Sequence, residues 1–534
     1  MRRRQLERAG PGRRAVTLAG TGAWQAGRAD VCLRWALWSS VGALLLVTAA
    51  GAQPVAGPRA LALVPSGSIT ETLTDNYRLS GVNPQSDAIT RLTAGVSLRS
   101  EAGLLRGYLD YSLSSLVYAR HGERNELQNG LSSNLIADLL EGRMKVVVKA
   151  GISQRAVSAF GAQPAGNGLS NDNSTELRTL RITPSLQGPL GPGLRYSGSL
   201  GYSISDTSNT NTGNSRATTA KLRLEPASPG RLGWSVDGSH VRSSFKLGRV
   251  NEDDRLVGNL NLTLDDFDLK LNGNAGVEFT DLASARRQRY QTWGVGLVWT
   301  PSPRARLAGE LDRRFFGQSH SLSFEYRTPL TVWRLSDSRN LTTGDGQTGA
   351  AGRGTAFDHY FALFRSREPD DVKRAALVDG FLKLNKIDPD AGAPPGFLRS
   401  SATLDNRFDF SVAMLGPRST ALLTLTRSRT RRLDLVLGAQ DDLANANEVR
   451  QTGVSLDLSH RLTPQSSLGL VLNQRQSRGT LASQDSRQRQ ASLLHTSQLS
   501  AESTLAVGAR RALYKTGASA YAESALFATY GIRF

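Results

Sequence analysis

Leu194-Arg-Tyr-Ser-Gly-Ser-Leu-Gly-Tyr-Ser-Ile204 decides the fold. Its even positions read Leu, Tyr, Gly, Leu, Tyr, Ile, and its odd positions Arg, Ser, Ser, Gly, Ser. A strand turns successive side chains to opposite faces, so this segment has one apolar and one wet face. The same period of two returns in Leu260, Leu262 and Leu264, in Trp293, Val295, Leu297 and Trp299, and in Leu322, Phe324 and Tyr326. Leu404, Phe408, Phe410 and Val412 continue it, as do Val454, Leu456 and Leu458.

A soluble β-sandwich alternates as well. Three features point elsewhere. The runs extend over roughly 10 to 14 residues, the length a tilted strand needs to cross a bilayer. The wet face carries Arg, Asp and Asn, too polar for a sealed core and suited to a water-filled lumen. Trp293 and Trp299 sit near strand ends, as interfacial girdles require. These features predict an all-β chain, a transmembrane antiparallel up-and-down β-barrel in the cell outer membrane.

Tight turns appear near Glu101–Gly103, Glu141-Gly142, Gly188–Gly193, Pro226–Gly230, Asp265-Asp266, Pro301–Pro303, Arg327–Pro329, Gly416-Pro417, Pro464–Ser466 and Thr496–Gln498, and Gly and Pro supply the backbone angles at most of them. Longer polar connections alternate with them, such as Gly161–Ser174, Asp206–Ser215 and Gln440–Glu448. This rhythm predicts about 22 strands, within roughly 18–24, with short turns on the periplasmic side. The last segment, Glu523–Phe534, places Leu526, Ala528, Tyr530, Ile532 and Phe534 on one face. Its end, the alternating Tyr530 and Ile532 followed by the aromatic Phe534, resembles the assembly signal read by the barrel-assembly machinery.

The longest apolar run is Ala36–Ala50, followed by Gly51-Ala52. With Arg28 and Arg34 before it and the small residues Ala50 and Ala52 at its end, it predicts a signal peptide over 1–52, cleaved after Ala52. The stretch before it is long for a leader, which suggests an over-extended start. A short periplasmic segment over 53–65 and the barrel over 66–534 are expected to follow. Cys32, the only cysteine, falls in the leader, so the mature chain has no disulfide, thiol nucleophile or Cys-based zinc site.

Residues 344–398 break the alternation. Phe357, Tyr360, Phe361 and Phe364 have helical spacing, and Val372, Ala376, Leu377, Phe381 and Leu384 continue an apolar stripe after Pro369. Strand parity puts this small helical insertion on the extracellular side, as a lid or plug over the pore or as an ordered surface loop.

The net charge of +19 falls to about +13 without the leader, which holds eight Arg, Glu7 and Asp30. The remaining basic residues are dispersed among alternating segments, so nucleic acid is not expected as a partner. The histidines show no metal spacing, and no nucleophile elbow, phosphate loop or HExxH helix occurs. No enzyme activity, metal or cofactor is expected. Asp388-x-Asp390-x-Gly392 is a fragment of a calcium loop and reads as a turn. Asn251–Asp254 and Asp441-Asp442 read as solvated loop acids with some scope for cation bridging to lipopolysaccharide.

Ser68–Asn76, the Phe324–Arg339 hairpin and the helical insertion followed by Gly396-Phe397-Leu398 together resemble the PEP-CTERM system-associated outer-membrane β-barrel family. That resemblance implies an accessory barrel in bacteria that export exopolysaccharide, with polysaccharide-export components as partners beside outer-membrane lipid and lipopolysaccharide. Two functions stay open. One is a pore for an anionic polymer, with lumenal Arg195 and Arg407 setting a positive field. The other is a structural or adhesion barrel with a blocked lumen.

Overall fold

The computed structural model describes residues 61–534, except 101–102, 164–170, 229, 247, 285, 344–356, 434–440 and 518. Between 357 and 395 it describes only Phe357, Tyr360, Phe361, Phe364, Glu368, Arg374, Ala375, Leu377, Val378, Phe381 and Leu382. The expected leader, its cleavage residues Ala50 and Ala52, and the Asp388–Gly392 turn lie outside the described residues.

The first part of the wall is β1 (Leu61–Thr74), β2 (Asp87–Ser100), β3 (Leu105–Tyr118), β4 (Glu126–Leu139), β5 (Met144–Ala156), β6 (Ser174–Leu190), β7 (Leu194–Thr207), β8 (Ser215–Pro226), β9 (Leu232–Phe245), β10 (Val250–Leu264) and β11 (Leu269–Thr280). It continues through β12 (Gln288–Ser302), β13 (Ala305–Arg314), β14 (Gly317–Arg327), β15 (Thr331–Thr342), β16 (Thr403–Leu415), β17 (Ser419–Arg432), β18 (Glu448–Arg461), β19 (Ser466–Arg478), β20 (Asp485–Gln498), β21 (Ser503–Thr516) and β22 (Ala520–Arg533). Each strand pairs antiparallel with its successor, as β7 does with β8, and β22 returns to β1, so the 22-stranded sheet closes on itself. Closure leaves no edge, and every ladder group finds a partner inside the wall.

One rim is made of the short connections 101–104, 140–143, 191–193, 227–231, 265–268, 303–304, 328–330, 416–418, 462–465 and 499–502. These are the tight turns expected from the sequence, with one displacement. Thr496 and Gln498 still pair with Ala506 and Thr504, so the last turn comes just after them. Long connections gather at the other rim, which makes the short-turn rim periplasmic.

The apolar rows face outward. Leu200 is 59% exposed on the outer surface of β7, whereas Ser203 and Ser205 are buried on its inner face. Trp293, Val295, Leu297 and Trp299 form the same kind of outer row on β12, and Leu526 and Tyr530 do so on β22.

The seam between β1 and β22 starts at Ser66, opposite Arg533. β1 itself begins earlier, at Leu61, inside the segment expected to be periplasmic. Leu61 to Val64 pair with Ser100 to Ser97 of β2 and extend past the last seam pair of β22. Phe534 donates its backbone N–H to the Pro65 carbonyl at 3.0 Å and leaves its ring exposed on the outer face. Phe534→Ser should lower the yield of assembled barrel in cells, because the last strand loses the aromatic end of its lipid-facing row. Heat-modifiable gel migration reads this directly, and an unchanged yield would refute the assembly role of Phe534.

Candidate functional site: a bridged mouth and a filled lumen

The long-loop rim folds over its own opening. The five-residue helix α1 (Asp442–Ala446) follows Asp441, whose carboxylate caps it by accepting from the Ala444 N–H at 2.9 Å. The other Asp441 oxygen accepts from the Ser400 N–H at 2.7 Å. Asp442 accepts from the Ser158 hydroxyl at 2.8 Å and the Ala159 N–H at 2.6 Å. Both aspartates were expected to be solvated. Asp441 is instead buried, and the pair ties three connections together. Burial pushes the Asp442 carboxyl above its usual range, against the pull of the Ala159 N–H and the Ser158 hydroxyl.

The β5–β6 and β17–β18 connections leave the wall about half its circumference apart, so the bonds between them cross the mouth. Further contacts brace this bridge. Gln488 on β20 donates to the Gln163 carbonyl at 3.0 Å, and the Tyr514 hydroxyl on β21 donates to the Phe160 carbonyl. Ala159, Phe397, Leu443, Ala446 and Val449 form a buried apolar cluster beneath. A second cluster joins Tyr77 and Leu79 of the β1–β2 connection to Tyr118, Tyr514 and Tyr521. Gly213, at φ +87°, lets the β7–β8 connection approach Leu398, where a Cβ would sit 3.0 Å from the Leu398 side chain.

The insertion between β15 and β16 leaves and rejoins the wall at this same rim. Its described residues at 357, 360, 361, 374, 375, 377, 378, 381 and 382 are helical, as the spacing predicts. Their side chains lie deep inside the barrel. Tyr360, Phe364, Val378 and Leu382 are buried in one cluster with Ala413 of β16 and Leu422 of β17. Ala413 and Leu422 are register partners near the periplasmic turn, on the inner faces of their strands. About 33 Å of strand, at roughly 3.3 Å per residue, separates Thr403 at the rim from Ala413. The described residues of the insertion therefore plug the lumen, and parity located only the insertion's ends.

Aromatic contacts hold the plug together. The Tyr360 and Phe381 rings are 4.8 Å apart, and those of Phe364 and Phe381 are 5.2 Å apart. Arg374 is almost wholly buried, with its guanidinium 4.1 Å from the Phe361 ring centre and a hydrogen bond of 3.0 Å to the Glu368 carbonyl. Tyr360 meets Thr420 of β17, and burial pushes its phenol well above the ordinary value.

The inner wall is polar and largely ion-paired. Arg314 bridges Asp253, at 3.3 Å, and Glu278, whose side chain is fully buried. Arg510 pairs with Glu523 at 2.8 Å and Arg99 with Asp110 at 3.2 Å. Asn251 and Asp253, read as solvated loop acids, are buried inward-facing positions of β10. Asp254 points outward, against His240 and Arg287.

The two arginines expected to set a positive field differ. Arg407 is inward but spends its charge on Asp409, 2.6 Å away, so it adds little to any long-range field. Arg195 lines a cavity of about 560 Å³ in the periplasmic half of the lumen, with Arg223, Glu225, Lys270 and Glu310. This water-accessible space lies along β7–β14, and the plug contacts described above lie on β16 and β17. Among the described residues, no group of three or more His, Cys, Asp or Glu could hold a metal ion.

A closed wall of bilayer-spanning strands, apolar outside and polar inside, is an outer-membrane β-barrel, and the protein resides in the outer membrane. No family model matches the chain, and no curated protein matches it. Among solved structures it is similar to the siderophore receptor PirA from Pseudomonas aeruginosa, with 12% identity, TM-score 0.40 and coverage of 88% of this chain and 80% of that one. The FrpB iron transporter from Neisseria meningitidis matches at 10% identity and TM-score 0.44, covering 88% and 82%. OccK11 from Pseudomonas aeruginosa matches at 11% identity and TM-score 0.33, covering 88% and 96%.

Proposed function

We propose that this barrel is a gated passage for an anionic polysaccharide chain, serving surface-polymer export in a PEP-CTERM type of system. The plug carries the reading. A 22-stranded wall encloses a lumen wide enough to need filling, and the filler here is a chain segment docked by side-chain contacts on two strands. Such a segment can move without disturbing the ladder of the wall. The water-accessible space beside it holds Arg195, Arg223 and Lys270, which suit a polyanion, together with Glu225 and Glu310, which limit how tightly it is held. The link to exopolysaccharide rests on the sequence resemblance alone.

The mouth bridge supports a second reading, a structural barrel that never opens. One experiment separates the two. Ser158→Cys with Asp442→Cys puts one thiol on each side of the contact that the Ser158 hydroxyl and the Asp442 carboxylate make at 2.8 Å. In a strain lacking the gene, the reduced double variant should restore surface polymer and the oxidised one should not. Full restoration by the oxidised form would sink the passage and leave the structural barrel.

A further inference from the structure

Above the apolar belt, the outer surface of β17–β21 turns abruptly cationic. On β17 the outward row runs Leu423, Leu425, then Arg427, Arg429 and Arg431. On β18 it runs Leu458, Leu456, Val454, then Thr452 and Arg450. On β19 it changes from Leu472 to Gln474, Gln476 and Arg478, and on β20 from Leu493 and Ala491 to Arg489 and Arg487. Lys515 of β21 is the register partner of Arg487.

The register makes this patch costly for the protein alone. Arg429 faces Arg450 directly across one ladder, and Arg450 faces Arg478 across the next. Like charges directly opposite on neighbouring strands destabilise a sheet. Among the described residues, the carboxylates that stand in this row on the outer face are Glu448 and Asp485. Glu448 pairs with both Arg429 and Arg450 at 2.5 Å, and Asp485 lies 3.8 Å from Arg478. The three arginine side chains remain 50%, 60% and 60% exposed beyond these pairs. The periplasmic ends of the same outer rows carry no such row. Ser419 and Ala421 begin β17 and Ser466 and Leu468 begin β19, the outward ionisable side chains of the strands at that level are His460 and His495, and Arg418 and Arg461 are exposed at the β17 and β18 ends, where Arg461 bonds the Pro417 carbonyl.

We infer that the Arg429–Arg450–Arg478 row, extended by Arg427, Arg487 and Arg489, is a binding site for the phosphate groups of the phosphorylated glycolipid of the outer leaflet. Its height and direction fix the ligand. The guanidinium groups lie just above the apolar belt, at the level of outer-leaflet headgroups, and they face the membrane and not the lumen. Arg presents a planar fork that takes phosphate oxygens two at a time, and three forks on adjacent strands match a headgroup with more than one phosphate. The absence of an equivalent row at the periplasmic rim selects the outer leaflet. A bound lipid also offsets the repulsion that the register builds in.

The test compares the parent with Arg429→Gln/Arg450→Gln/Arg478→Gln and with the corresponding triple Lys variant. Each is purified in neutral detergent, and the temperature of gel-mobility loss is followed as purified lipopolysaccharide is added. The parent should be stabilised by lipopolysaccharide and much less by the same material after dephosphorylation. Half-saturation should rise at least about tenfold in the Gln variant and by less in the Lys variant, which keeps charge but loses the fork. The Gln variant loses both partners of Glu448 along with the like-charge row, so each response is read as the shift that lipid produces from that variant's own lipid-free baseline. Three results would overturn the assignment: a Gln variant that responds as the parent does, equal stabilisation by phosphatidylglycerol, or displacement of lipopolysaccharide by a lipid-free anionic polysaccharide at equal charge.

Discussion

Replacing residues 345–395 by a short Gly-Ser linker should raise single-channel conductance roughly severalfold, because a barrel of 22 strands is wide enough to conduct freely once emptied. The wall should still assemble. Its ladder is continuous through β15 and β16, where Thr331 to Thr342 pair with Met414 to Thr403 without the insertion. The closure cost of the connection changes only slowly with its length. Val378→Asp with Leu382→Asp tests the same idea while keeping the chain. Both positions are fully buried against the wall, and burying unpaired carboxylates there costs far more than the docking contacts can absorb. Planar-bilayer recordings of the two variants should agree in showing larger or more frequent openings than the parent. A truncated barrel with the parent's conductance would mean that the plug obstructs nothing. Failure of the truncation to assemble, with normal assembly of the double variant, would make the plug a scaffold for β16 and β17.

Leu200→Arg should destabilise the barrel by about 2–4 kcal/mol, the cost of a cation at the bilayer midplane. Leu200 lies midway along β7 and faces outward. Ser199, its neighbour, faces the lumen opposite Lys221 of β8. Ser199→Arg therefore keeps its charge in water and adds one like-charge neighbour, worth up to about 1 kcal/mol. A urea titration of refolding into lipid should rank Leu200→Arg as clearly the weaker protein. Equal loss in both would mean that the two faces are not lipid and lumen.

The wall was legible because its signals are local. A period of two needs only a run such as Leu194–Ile204, and most turns announce themselves by Gly and Pro, so strand number and the two rims followed from counting. The plug's depth was not local. Strand parity tells which rim a connection leaves from but not whether it then folds inward. A signal was present nonetheless. Ala413 and Leu415 interrupt the wet row Asp405, Arg407, Asp409 and Ser411, and Leu422 does the same on β17, which marks an inner surface that something apolar covers. The pairing of Arg407 with Asp409 was also readable, since residues two apart on a strand share a face. Asp441-Asp442 carried a missed helix-start signal, an N-cap before a short apolar turn. The Arg429, Arg450 and Arg478 row needed the register itself, because those residues are neighbours only across ladders.

The bonds across the mouth also set an order of events during biogenesis. Ala159 and Asp442 are 283 residues apart, and Thr74 and Glu523, which bond near the seam, are 449 apart. Contacts this distant pay their chain-closure entropy last. The plug, by contrast, docks on β16 and β17, the strands that follow it directly in the chain. A nascent sheet can thus carry its plug on its own concave face before the two ends of the wall meet. Curling shut then encloses the cargo already in place, and the loops tie over the top only after the cylinder exists. A barrel assembled in that order is at no stage both sealed and empty, which spares the envelope an unguarded hole.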